Sequence, residues 1–201
     1  MIKRNLLVMG LAVLLSACGF QLRGTGTSEL AIKELDLSAR NAYGETVTQL
    51  RQVLQSSGVK VYTGAPYKLV LTDEQESQRI LSYAGAGRTG EYQVTTVLNY
   101  DIRGAHDLPL MSDKLEVQKI FLHDGNNLVG SDQEASTAKV ETRRELVQRM
   151  MLRLSQLTPT QLEQMQQTAD AKAKAEAQAL EAAQKAEAET PRQSPIEIPQ
   201  Q

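Results

Sequence analysis

The chain has 201 residues, of which 41% are hydrophobic and 23% charged, with a formal net charge of −2. These figures suit one ordinary globular domain with appended segments, and they exclude a collagen-like or fully disordered chain. Aromatics make up 4%, with no Trp, two His and a single Cys. That composition argues against a base-stacking platform, a phosphate-binding basic field, a disulfide framework or a Cys/His zinc site, so nucleic acid, metal and cofactor are not expected.

Residues 1–17 read as a lipoprotein signal peptide. Lys3 and Arg4 precede an apolar run from Leu6 to Leu15. Such a run spans about 15 Å as a helix, roughly half of a bilayer's hydrocarbon core and too short to cross it. It ends in Leu15-Ser16-Ala17-Cys18, which looks like the lipobox of a bacterial lipoprotein. In that reading the Cys18 sulfur carries a diacylglyceryl group and cleavage leaves its amine to be acylated. The alternative is a buried cysteine beside an ordinary cleavage site. Several acyl chains would tether the protein stably, where one would hold it only marginally. Gly19, rather than Asp, resembles the lipoproteins sorted to the outer membrane, with the protein on its periplasmic side. Loss of Lys3 and Arg4 would leave 20 cations against 24 anions, a net of −4.

Residues 18–30 form a lipidated linker, small and polar from Gly24 to Ser28. Ile32–Leu37 reads as a strand. Tyr43, Thr46, Val47, Leu50, Val53 and Leu54 follow helical spacing, and Gly58 suits the position just after a helix end. Val59–Tyr62 returns as a strand. A longer strand begins at Tyr67, Leu69 and Leu71 and can run towards Tyr83. The clearest alternation places Tyr92, Val94, Thr96, Leu98, Tyr100 and Ile102 on a core face, with Gln93, Thr95, Asn99, Asp101 and Arg103 on a wet one. Leu115–Phe121 gives a further strand, in which Ile120 and Leu122 break the alternation and suggest a bulge. Asp124–Asn127 is a turn. A second helix is expected from Ser131, with Ser131–Glu134 as its capping box and Val140, Val147, Met150, Met151, Leu154 and Leu157 as its stripe. Thr158 and Pro159 restart a helix as cap and first residue. The αβ domain spans 31–157, and 158–201 is a polar Ala/Gln-rich tail, helical and then disordered.

No catalytic constellation appears, so no enzymatic activity is expected. His123 and His106 lack a positioned nucleophile and carboxylate. Asp73, Glu74 and Glu76 lack calcium-loop spacing and read as a solvated turn. Gly85-x-Gly87-x-x-Gly90 matches a dinucleotide fingerprint in letters only, because it lies between strands and reads as a hairpin tip bearing Arg88.

Cys18-Gly19-Phe20-Gln21-Leu22-Arg23-Gly24 resembles the opening of mature LptE (RlpB) proteins, and Glu91-Tyr92-Gln93 resembles a segment of the same family. The likeness covers about residues 18–157, and the tail departs from it. The resemblance implies an α+β fold, with two helices packed on one face of a four-stranded, mostly antiparallel sheet. It further implies a non-enzymatic outer-membrane lipoprotein that plugs the LptD β-barrel and helps assemble lipopolysaccharide at the surface. Lipopolysaccharide binding through basic residues maps to Arg88 and Lys119, while the Lys looked for near Ser131 is missing. Beside this stand two other readings. Arg88 and Lys119 can be plain solvated charges, and a lipoprotein component of an ABC transporter, binding a phospholipid or small ligand, can share such a domain behind a lipobox.

Overall fold

The computed structural model describes residues 30–84 and 89–189. Its strands are β1 (Glu34–Ala39), β2 (Lys60–Val61), β3 (Tyr67–Ala84), β4 (Thr89–Arg103) and β5 (Pro109–Asp124). Its helices are α1 (Glu45–Ser56), α2 (Leu128–Ser155) and α3 (Pro159–Glu189). The sheet order is β2-β1-β3-β4-β5, with β1 parallel to both neighbours and β3–β4–β5 antiparallel. The expected α+β class holds, but the sheet has five strands and is mixed, and a third helix docks on it. β2, the strand expected at Val59–Tyr62, is the one beyond the four that the resemblance implies; it is two residues long and pairs with Glu34 and Leu35.

The first unit follows its local signals closely. Val47, Leu50 and Leu54 bury one face of α1, each contributing about 1.5–3 kcal/mol of apolar burial. At its end Gly58 takes φ +82°, the Gly58 N–H donates to Gln55 O at 3.1 Å and the Val59 N–H to Leu54 O at 3.0 Å. These two bonds close a Schellman motif, which a residue with a Cβ would strain.

The second helix begins three residues before the expected start. Asn127 is its cap, accepting from the Gly130 N–H at 3.1 Å. Ser131, expected as the cap, instead accepts from the Asp124 N–H at 2.7 Å and donates to Asp124 O at 3.1 Å, tying α2 to the end of β5. The buried stripe is Ser131, Ala138, Thr142, Leu146, Val147, Met150 and Leu154, while Val140 is exposed. Thr158 and Gln161 form the capping box of α3: the Gln161 N–H donates to Thr158 Oγ1 at 3.2 Å and the Thr158 N–H to Gln161 Oε1 at 3.0 Å. Leu157 and Leu162 join the core, after which α3 continues mostly exposed.

The bulge expected near Ile120 is not there. Pairing of β4 with β5 runs without a shift from Met111 to Asp124, and the irregularities in β3 lie at Leu71/Asp73 and Ile80/Ser82. Ile120 and Leu122 break the hydrophobic alternation because they are apolar residues on the face away from the helices.

Candidate functional site

The two faces of the long β3–β4–β5 sheet have different chemistry. Val94, Leu98, Tyr100, Ile102 and Val117 are buried on the helix side. The opposite face carries a hydrogen-bonded polar ladder. Arg79 Nε donates to Gln93 Oε1 at 2.8 Å, the Gln93 amide donates to Gln118 Oε1, and the Gln118 amide to Glu116 at 2.6 Å. Further down, Ser112 donates to Asp101 at 2.7 Å and Arg103 at 3.2 Å reaches the same carboxylate. Gln93, expected on the wet face, is only 4% exposed: its neighbours Arg79 and Gln118 cover it.

Lys119 lies on the helix side of β5, where it forms an ion pair with Glu145 of α2 at 3.1 Å. It is one of several ties holding α2 to the sheet. Arg149 donates to Glu116 O at 2.7 Å and to Glu145 at 2.7 Å, Arg153 meets Asp113 at 2.7 Å, and Lys139 meets Glu76 at 2.6 Å. Arg143 pairs with Glu45 of α1. Lys119, followed by Arg149, holds the Glu145 carboxyl below the usual carboxylate range. The Lys114 backbone N–H, reinforced by Arg153, does the same for Asp113.

A depressed carboxylate pKa stabilises the fold above the unfolded value and loses that contribution as pH falls through the folded one. We therefore expect thermal stability to be level near neutrality and to fall below about pH 4 as these carboxylates protonate. Glu145→Gln should flatten part of that slope in melting curves taken from pH 7 to 3. An unchanged slope would remove the Lys119–Glu145 pair from the account.

Beside this pair a cleft of about 540 Å³ runs between β5 and α2, bordered by Lys119 to Leu122 on the strand and by Glu134, Ala138 and Glu141 on the helix. Cys18 and Arg88 lie outside the described residues, so Lys119 is the expected site residue with a place in the structure. The carboxylates Asp73, Glu74 and Glu76 lie on β3 rather than in a turn, and each has a partner: Arg40 at 3.5 Å, Thr46 at 2.7 Å and Lys139. His123 sits in β5 with its ring 4.9 Å from that of Tyr92, and His106 occupies an exposed tight turn at φ 59°. Gly90, the last glycine of the fingerprint, lies in β4, so a strand rather than a helix follows it, while Gly85 and Gly87 lie outside the described residues.

The sequence model of the LptE family, described as lipopolysaccharide-assembly, matches residues 32–154. The chain belongs to the LptE family. This LptE-family chain is 28% identical over 162 residues to the LPS-assembly lipoprotein LptE of Pectobacterium atrosepticum, covering 77% of this chain and 86% of that protein. It is also 28% identical over 154 residues to the LPS-assembly lipoprotein LptE of Photorhabdus laumondii, covering 74% and 83%. Among solved structures it resembles the rare lipoprotein B of Shewanella oneidensis at a TM-score of 0.55 and 20% identity, over 61% of this chain and 93% of that one. Lipoprotein B of Nitrosomonas europaea matches at a TM-score of 0.55 and 21% identity, over 69% and 89%. At such identities the likeness concerns the fold.

Sequence reading missed the ties from Arg149, Arg153 and Lys139, because each joins residues distant along the chain. The only local hint was the run of basic residues on one helix.

Proposed function

We propose that this chain is a non-enzymatic outer-membrane lipoprotein, lipidated on Cys18, that sits within the LptD β-barrel and assists placement of lipopolysaccharide in the outer leaflet. The observation that carries this reading is the family match over residues 32–154, which covers the folded domain from β1 to the end of α2. The lipobox and the Gly19–Gly24 opening support the anchor. The polar ladder facing away from the helices suits a wet barrel lumen. Detergent extraction of intact outer membranes should bring the protein out with an endogenous β-barrel; a chain that emerges alone overturns the partnership.

Lipopolysaccharide phosphates favour a few placed Lys or Arg heads, since charge-assisted hydrogen bonds are the strong ones. Arg88 and Lys119 are the residues proposed for that contact. Because Lys119 is engaged by Glu145, Arg88→Gln should weaken lipopolysaccharide binding more than Lys119→Gln. Together they should reduce affinity about tenfold, with the circular dichroism spectrum unchanged. Unaltered affinity in the double variant removes both residues from the contact.

A further inference from the structure

β5 is an edge of the sheet, sixteen residues long. In an antiparallel pair, alternate residues turn both N–H and C=O towards the neighbouring strand and the others turn them away. Three bonds show which residues of β5 turn away from β4. The Lys114 N–H goes to the Asp113 carboxylate at 2.8 Å, Glu116 O accepts from Arg149 at 2.7 Å, and the Asp124 N–H goes to Ser131 Oγ at 2.7 Å. Because the register is unbroken from Met111 to Asp124, Gln118, Ile120 and Leu122 share this outward direction. Side chains thus close both ends of the edge. The outward backbone groups of Gln118, Ile120 and Leu122 have no partner among the described residues.

Ile120 and Leu122 border the 540 Å³ cleft, and Gln118 precedes it on the strand. Its other wall is a single face of α2, where Gln133, Glu134, Thr137, Ala138 and Glu141 recur at one- and two-turn spacing. An edge strand facing a helix across a cleft is the arrangement by which extended peptides add to a sheet, with main-chain bonds giving affinity and side-chain pockets giving preference. Ile120 and Leu122, 62% and 56% exposed, supply apolar contacts at alternate positions. A natural sheet normally blunts such an edge with charge, a bulge or a cover. Here the protection stops where the cleft begins.

The charge of the cleft decides what fits. Glu91, Glu134 and Glu141 line it, and its one lysine, Lys119, is neutralised by Glu145. Glu134 and Glu141 have no ion-pair partner among the described residues. A second copy of this chain would bring the same carboxylates against them, so edge-to-edge pairing of two copies is opposed.

We propose that the β5 edge from Gln118 to Leu122 and the facing side of α2 form a docking groove for an extended, basic segment of a partner polypeptide. The segment joins the sheet as a sixth strand. Its apolar residues cover Ile120 and Leu122, and its Lys or Arg side chains reach Glu134 and Glu141. This goes beyond the barrel and lipopolysaccharide reading and is tested without either.

The probes are two blocked ten-residue peptides, one alternating valine and lysine and the other valine and glutamate, titrated into the full chain. The lysine peptide should bind at least tenfold more tightly and slow hydrogen exchange at the Ile120 and Leu122 amides. Glu134→Lys combined with Glu141→Lys, both on the exposed face of α2, should reverse the preference. Ile120→Pro removes an outward N–H at a position where an edge strand tolerates proline, and should weaken binding about fivefold. If that variant does not fold, the charge-reversed pair and the exchange map decide. Equal affinity for the two peptides, no binding of the lysine peptide, protection elsewhere, or a self-dimer that buries these amides overturns the proposal.

Discussion

Leu146→Ala should destabilise the domain by about 3 kcal/mol and lower its melting temperature by roughly 10 °C. Leu146 is fully buried in the core cluster, where α2 meets the sheet between Thr142 and Met150. Removing its three outer carbons deletes contacts on all sides, and the neighbouring helix and strands can close only part of the cavity. The control lies six residues on. Leu152, on the same helix, is 61% exposed, and its replacement by alanine should change stability by no more than about 0.5 kcal/mol. Differential scanning calorimetry on the pair separates burial from helix propensity, since the same substitution is made twice in one helix. Equal losses would show that the packing of α2 on the sheet is not what holds it.

Cys18→Ala, made with residues 1–17 exchanged for a signal peptide that is cleaved without lipidation, should have the largest effect on location. With each buried acyl CH₂ contributing about 0.8 kcal/mol, several chains hold a protein on a membrane and none leaves only the folded surface. We expect the variant to leave the membrane fraction for the soluble one after cell breakage, in the absence of the barrel proposed as its partner. Where the barrel is present, the folded domain should still associate with it, because the proposed interface lies in residues 31–157 rather than in the tether. Complete loss of the complex in the Cys18→Ala strain would shift the weight of the interaction onto the lipid.

The order of elements was legible where the signal is local. Gly58 and Thr158 each carry their own structural instruction: a left-handed residue after a helix, and a hydroxyl that caps one. Both do as the sequence implies. Ser131 misled because its hydroxyl finds a stronger use, binding the edge backbone of β5 seven residues earlier, while Asn127 takes the cap. The expected stripe of α2 departs from the buried one at its N-terminal half for a similar reason. Ala138 and Thr142 are buried, yet one is small and the other polar, so hydrophobicity passes over them and selects exposed Val140 instead. Thr142 satisfies its hydroxyl by donating to Ala138 O at 2.6 Å, a bond invisible before the helix is drawn.

The candidate site was less legible. Lys119 could be noticed as a cation on a strand, but its partner Glu145 is 26 positions away, and only the docking of α2 on β5 brings them to 3.1 Å. Ile120 and Leu122 suggested a distorted strand because exposed apolar pairs are unusual in a sheet with one wet face. The strand is regular, and the irregularity lies in what the surface presents. Their exposure became informative only once the register showed which backbone groups lay beside them.

The length of the central hairpin has a further consequence. β1 begins beside Tyr67, and Gln166 of α3 accepts from the Ala105 N–H at 2.9 Å, so the starts of β1 and α3 share one end of the sheet. Ala84 and Thr89 pair at the opposite end, eighteen residues along β3. At about 3.3 Å per residue that separation approaches 60 Å, reduced somewhat by twist and bulges, against about 30 Å for a bilayer's hydrocarbon core. The sheet is thus long enough to reach from one side of such a core to the other, and in the proposed barrel it would act as a measuring rod.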